Sequence, residues 1–447
     1  MPPTDIRELI KESPMRWQQF PAVALCILAN MGDGFDSAVM AFAAPNISSE
    51  WGVAATTLGV VFGVLALGTM AGAFVLAPLA DRYGRRVMIL SASGFLSVTM
   101  ALVPFVENVT QLIVLRFLTG VGVGVIFPNL NVLVIEYSNN RLGNLLASTM
   151  HIGFALGLAV CSAVAAILIQ AFGWQAIFFF GAAINATVFL AGLYYLPESL
   201  DFILAKRPPS ALEKLNKMLV RWGHSPVESL PPPETSGYES RSLRELVTNR
   251  VILFAALLFG IAALTHYFCT HFKINWTPQI LIDAGITSTT AMSSGMLMAL
   301  GSALGTLAYG KLVSSRHALW WVCGGYVIAA MLIFIIGELP PIPSLMLGVL
   351  CLLSFFLVGS WIGLLILATR FYPPAMRSAG LGFMIGIGRF GGVLGSYTAG
   401  VLMDRGWERV DFFPVYAMAS IIGAIAVGML AVMLAASHAS PATERRA

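Results

Sequence analysis

The chain has 447 residues, 57% of them hydrophobic and only 11% charged. A soluble domain carries about a quarter charged residues, so this composition, with a mean hydropathy of +0.82, excludes a water-soluble globular protein and predicts an all-α integral membrane protein. The net charge of +4 is small, and the basic residues sit between apolar runs, so no nucleic-acid partner is expected.

A hydrocarbon core of about 30 Å takes roughly 20 helical residues. Twelve apolar runs meet that length, at 20–45, 56–78, 87–106, 110–136, 144–170, 174–196, 250–274, 289–311, 318–337, 342–369, 378–402 and 412–436. Ahead of them, Pro2 to Arg16 is polar and leads directly into a full-length span, unlike a cleavable signal peptide.

Span 1 carries Met31-Gly-Asp-Gly-Phe-Asp36. A carboxylate at a bilayer centre costs roughly 2.5–3.5 kcal/mol on insertion scales. Asp33 and Asp36, three residues apart, lie on one helix face. Close carboxylates repel and burial disfavours their charge, so such a pair is suited to taking up a proton. The competing reading is a fixed ion pair that only holds helices together.

After span 2 comes Ala77-Pro-Leu-Ala-Asp81-Arg82-Tyr-Gly84-Arg85-Arg86. A tight glycine turn with one carboxylate and three guanidiniums predicts a charge-assisted cluster at helix ends. Span 4 contains Arg116, which needs a partner inside the membrane; Asp33 and Asp36 are the candidates, and a substrate anion is the other. At the end of span 4, Glu136 is expected to join Arg85, Arg86 or Arg141 in a gating cluster. His151 in span 5 reads as a hydrogen-bonded core residue.

Residues 197–249 form the only long polar segment, with Pro231-Pro232-Pro233 and a short amphipathic stretch, Ser210 to Trp222, expected on the membrane surface. The segment divides the chain into residues 1–196, a linker 197–249, and residues 250–447, with six spans on each side. Span 7 carries His266, Tyr267, His271 and Lys273. His266 and Tyr267 are candidates for contact with substrate, and Lys273 is expected near the outer mouth, where its charge would attract anions. Aromatic residues such as Phe35, Phe127 and Trp361 are candidates for ring-stacking walls. The loop after span 8 lacks the aspartate found after span 2. Span 10 ends in Phe371-Tyr372 before Arg377, as span 4 ends in Glu136-Tyr137 before Arg141, which suggests an internal repeat.

Span 11 holds Gly386-Ile-Gly388-Arg389-Phe-Gly391-Gly392. Arg389 lies about 18 Å along its helix, near mid-bilayer. Its glycine neighbours allow a helix or a flat ring to come close, and a guanidinium is the natural anchor for an organic carboxylate. A structural ion pair is the alternative. Glu107 and Asp404, at span ends, read as solvated.

Most Lys and Arg residues fall on one side if twelve spans alternate, with Lys273, Arg405 and Arg409 the exceptions. By the positive-inside rule both termini and the linker are cytoplasmic. The five cysteines are widely spaced, with no metal-ligand pattern. No catalytic constellation and no phosphate-binding loop is present, so neither an enzyme nor a cofactor is expected, and an ion gradient must drive any transport.

The loop 77–86 resembles the signature of the major facilitator superfamily, with Ala77 replacing the usual glycine, and Arg116 with Gly120 and Gly122 resembles its second motif. The absence of a Gly-Pro pair in span 5 departs from the superfamily's antiporters and favours symport. More closely, the chain resembles the aromatic acid:proton symporter family. That likeness rests on Asp33-Gly-Phe-Asp36, Pro128-Asn129, Leu196-Pro-Glu-Ser-Leu200, Asn275-Trp-Thr-Pro278 with Gly285, Tyr372-Pro373 and the Gly-Arg-Phe-Gly box at 388–391. The resemblance implies two six-helix bundles with a substrate site near the midplane, a monomer in the inner membrane, and inward transport of a small aromatic acid with protons. It also implies that Asp33, Asp36, Arg377 and Arg389 are needed. The alternatives are another cargo (an aliphatic acid, a sugar or an exported drug) and a non-transporting sensor, against which the short tail after Ala435 argues.

Overall fold

A computed structural model describes residues 6–231, 250–315, 317–372 and 376–439. Most of the proline-rich stretch, together with Arg316, Pro373 and the end of the tail, lies outside them. Among the described residues the regular structure is all helical, without strands. Eleven helices are long and apolar enough to cross a membrane, and the segment expected as span 11 is a continuous 28-residue helix.

In chain order the helices are α1 (Ile6–Glu12), α2 (Phe20–Trp51), α3 (Ala55–Ala71), α4 (Ala80–Tyr83), α5 (Arg85–Leu102), α6 (Val109–Glu136), α7 (Gly143–Phe172) and α8 (Gln175–Tyr195). They continue as α9 (Leu200–Lys206), α10 (Ala211–Arg221), α11 (Arg250–Asp283), α12 (Ser288–Leu312), α13 (Ala318–Glu338), α14 (Pro343–Phe371), α15 (Arg377–Asp404) and α16 (Arg409–Ala439). Helices satisfy every backbone polar group internally, which is what lipid demands. Asn108 caps α6 through the Gln111 amide and Ser199 caps α9 through that of Phe202.

Contacts divide the chain into two units: residues 1–39 with 67–235, and residues 40–66 with 236–447. In lipid, helices associate by close packing of small residues rather than by hydrophobicity, and both units use that device. In the first, a side chain at Gly34 would lie 2.0 Å from the Phe154 carbonyl oxygen, and one at Gly157 equally close to that of Met31. In the second, a side chain at Gly391 or Gly395 of α15 would lie 2.1 Å from the carbonyl oxygen of Leu264 or Phe268. Gly34 thus explains the glycine inside Asp33-Gly-Phe-Asp36: any Cβ there would push α2 off α7.

Three expectations change. First, α11 runs to Asp283, beyond the expected end at 274, with Pro278 inside it. Asn275 and Trp276 hold this extension by donating to Ser396 Oγ (2.8 Å) and to the Ser396 carbonyl (2.9 Å) on α15. Second, the amphipathic stretch at 211–221 does not present its apolar face to a membrane surface. Leu215, Met218, Leu219 and Trp222 join Ile6, Ile10 and Tyr137 in one buried cluster, with the Trp222 ring edge-on to Tyr137 at 5.5 Å. Third, Asp404 is more than a solvated span end, because its carboxylate accepts from the amides of Ala55 (2.9 Å) and Thr56 (2.7 Å), capping α3.

Candidate functional site

In the first unit the sequence-predicted charges converge. Asp36 is fully buried and Asp33 is 7% exposed. Arg116, 1% exposed, donates from Nη2 to the main-chain carbonyl of Asp36 at 2.9 Å. The guanidinium therefore reaches the residue expected, but grips its backbone instead of closing an ion pair with the carboxylate. Asn185 Nδ2 of α8 donates to Asp36 Oδ2 at 3.3 Å. Asp36 Oδ1 and the Nε and Nη1 of Arg116 make no hydrogen bond. A buried carboxylate and guanidinium thus lie together with spare donors and a spare acceptor, an arrangement able to change its bonding when a proton arrives. Phe35 packs at 5.7 Å from the Phe180 ring with no exposed surface, so it offers no ring face in this conformation.

Asn185 was missed from sequence. An amide inside the run Gly181-Ala-Ala-Ile-Asn185-Ala was the available signal, since such a group in lipid needs a partner.

The second unit gathers rings around one cation. His266, 3% exposed, stacks on Trp361 at 5.0 Å and 13°. Tyr267 meets Trp361 edge-on at 5.0 Å and stacks with His271 at 5.7 Å. Arg389 places its Cζ 5.6 Å from the Tyr267 ring centre. The glycines around Arg389 make this possible: a Cβ at Gly388 or Gly392 would collide with the rings of Tyr267 or His271 at 2.7 Å. Among the described residues Arg389 has no carboxylate within ion-pair distance. A half-buried guanidinium over an aromatic face, with further rings beside it, suits a ligand with a carboxylate and a flat ring.

Lys273 differs from expectation. It is not at an open mouth but 3% exposed, donating to Ser354 Oγ of α14 at 2.8 Å. The longer α11 is the reason, since ten more helical residues follow Lys273.

At the end of the first unit that carries α1, α9 and α10, the signature loop forms its cluster. Arg85 pairs with Glu136 and donates to Ser199 Oγ at 3.0 Å. Glu136 also accepts from the Leu200 amide at 2.9 Å. The Arg86 amide donates to Glu198 Oε1 at 3.0 Å, and the Arg86 side chain to the Leu193 carbonyl at 2.6 Å. A Cβ at Gly84, where φ is +101°, would strike the Glu198 carboxylate at 2.4 Å. Pro197-Glu198-Ser199 is thus the docking partner of the loop, a role not read from sequence. Asp81, Arg82, Arg141 and Arg377 are exposed, with Arg82 over the Tyr83 ring; Arg141 is not part of the Glu136 cluster.

The model of the Major Facilitator Superfamily matches residues 26–396. The chain belongs to the major facilitator superfamily. It is 30% identical to the 4-hydroxybenzoate transporter PcaK of Pseudomonas aeruginosa, over 90% of both chains. It is 28% identical to the gallate transporter of Pseudomonas putida, over 95% of this chain and 94% of that one. The benzoate transport protein of Acinetobacter baylyi is 23% identical over 95% of this chain and 92% of its own. These relatives are named as transporters, and this chain has eleven helices long and apolar enough to cross a membrane among its described residues.

Proposed function

We propose that this protein is a proton-coupled symporter that imports an aromatic or related organic carboxylate across the cytoplasmic membrane by alternating access. It crosses that membrane twelve times, has cytoplasmic termini and works as a monomer. The observation that carries the reading is Arg389 over Tyr267, beside the stacked Trp361 and His266 and without a carboxylate partner among the described residues. The guanidinium binds the carboxylate through parallel hydrogen bonds, and Tyr267, His271 and Trp361 offer faces and edges to the ring. The relatives support this cargo, since 4-hydroxybenzoate, gallate and benzoate share those two features.

Proton uptake falls to Asp33 and Asp36. Asp36 is enclosed by Arg116 and Asn185, so a change in its charge is felt by α6 and α8 together. Asp33 keeps some exposure and is the point of exchange with water. The Arg85–Glu136–Glu198 cluster serves as the gate latch.

Thermal-shift screening of the purified protein against benzoate-type acids, aliphatic dicarboxylates and sugars tests the cargo. Stabilisation by the aromatic acids alone is expected, lost in Arg389→Ala. Stabilisation by sugars, or an unaffected Arg389→Ala, would overturn it.

A further inference from the structure

The two units repeat one helix-crossing geometry, which fixes a residue correspondence between them. In the first, Gly153 and Gly157 of α7 meet the carbonyls of Ile27 and Met31; in the second, Gly391 and Gly395 of α15 meet those of Leu264 and Phe268. Both glycine pairs are four residues apart, so Met31 corresponds to Phe268. Five residues after Met31 comes Asp36; five after Phe268 comes Lys273. A second crossing gives the same kind of match. Gly68 and Gly72 meet the carbonyls of Phe117 and Val121, while Gly301 and Gly305 meet those of Cys351 and Phe355. The residue before Phe117 is Arg116, and the residue before Cys351 is Leu350. Where the first unit holds a carboxylate and a guanidinium, the second therefore holds an ammonium and an aliphatic side chain.

Beside Lys273 lies a small cavity lined also by Cys269, Thr277, Leu350 and Leu353. It offers about 20 Å³ to the centres of water-sized spheres, enough for a water at roughly 10–15 Å³ and far too little for an aromatic acid. Among the described residues no carboxylate lies within ion-pair distance of Lys273. Its side-chain partner is the hydroxyl of Ser354, which has no exposed surface. The surrounding titratable and charged groups are His266, His271 and Cys269 on its own helix, Tyr326 and Glu338 on α13, Cys351 on α14, Arg389 on α15, and Tyr416 and Arg409 on α16. Of these only Glu338 is a carboxylate, and it is exposed and acts on Arg409.

The geometry points to Lys273 as a second proton-binding site, an ammonium in one stage of the transport cycle and a neutral amine in another. A permanent ammonium in these surroundings would bear its desolvation cost without a counter-charge. A hydroxyl partner suits both forms, because it accepts from the ammonium and donates to the amine lone pair. On release the N–H bond breaks, the proton passes to water in the adjoining cavity, and the lone pair left on Nζ takes the Ser354 hydroxyl proton as a hydrogen bond. Reloading reverses these steps. This inference rests on the proton-coupled reading above and adds a group to it.

Two measurements on the full-length protein test it. The chain has six lysines, so ¹³C,¹⁵N-lysine labelling with Lys273→Met as the assignment control resolves the Lys273 side chain by NMR. Its resonance is expected to move between ammonium and amine positions as pH is varied over the range in which the protein stays folded. This readout is independent of any cargo, so it stands even if the aromatic acid reading fails. In proteoliposomes, reversal potentials give protons per substrate. Lys273→Met, and Lys273→Gln should the first fold poorly, are expected to lower that ratio by one while keeping substrate exchange. A resonance fixed at the ammonium position, or one shifted on replacing chloride by bromide, would reveal a permanent cation with a bound anion and overturn the assignment. An unchanged proton ratio in both variants would overturn it equally.

Discussion

The two units share their scaffold and differ in their chemistry. Each brings a helix against another through glycines that touch carbonyl oxygens, Gly34 and Gly157 in one, Gly391 and Gly395 in the other. Upon that common frame the first unit sets carboxylates beside a guanidinium, Asp33, Asp36 and Arg116, with Asn185 joining. The second sets basic side chains against rings and a hydroxyl: Arg389 on Tyr267, His266 on Trp361, and Lys273 on Ser354. From this contrast we infer a division of labour, in which Asp33 and Asp36 form the main proton site, Arg389 recognises the anion, and Lys273 adds a proton site in the second unit.

The largest expected effect lies in the first unit. Asp36→Ala keeps the main-chain carbonyl that Arg116 holds but removes the buried carboxyl group and leaves Asn185 without that partner, a loss of about 1–3 kcal/mol. Denaturation in detergent should show that loss, and transport should disappear. Asp36→Asn keeps the volume and should fold better yet still fail to accumulate substrate. Normal accumulation by Asp36→Asn would break the proposed division.

Next come substitutions of the shared scaffold. Gly34→Val and Gly391→Val each drive a side chain into a carbonyl, and overpacking costs about 1–3 kcal/mol or more. Paired thermal melts should show similar losses in both. A large loss in one unit alone would mean that the crossings are not equivalent. Arg389→Ala, by contrast, should leave the melting temperature nearly unchanged. It should raise KM for a carboxylate roughly 10- to 100-fold, the worth of a hydrogen bond to a charged group. An unchanged KM would remove anion recognition from the second unit.

The smallest effect concerns Asp404. Although partial burial opposes it, hydrogen bonds from Thr56 and Ala55 hold this carboxyl below its usual value. A depressed folded value means that its stabilisation is present above the unfolded pKa of about 3.9 and fades as pH falls through the folded value. The group is largely exposed to solvent, so the contribution is modest. Asp404→Asn should lower stability slightly at neutral pH and flatten the acid limb of the stability–pH curve, the difference from the parent vanishing at low pH.

Much of the fold was legible because lipid leaves few options. Runs of about 20 apolar residues must be helices, and the helix positions follow. What was not legible depended on packing between distant segments. Hydropathy ends span 7 near residue 274, but Asn275 and Trp276 bind Ser396 and carry the helix on, which buries Lys273 rather than leaving it at a mouth. The apolar stripe of α10 was visible, but its target, a pocket of residues from α1 and the end of α6, was not. At the candidate site, Asp33, Asp36, Arg116 and Arg389 stand out because charge in an apolar run is conspicuous. Asn185 and Ser354 do not, since a neutral polar side chain gains meaning only from the charge it faces.

The central claim is that a proton gradient drives a carboxylate through this protein. Uptake of a labelled benzoate-type acid into proteoliposomes, with an inside-alkaline pH gradient imposed and then collapsed by an ionophore, tests it most directly. Accumulation that follows the gradient, vanishes on collapse and is absent in Asp36→Asn is the predicted result. Uptake indifferent to both the gradient and the membrane potential would contradict the account.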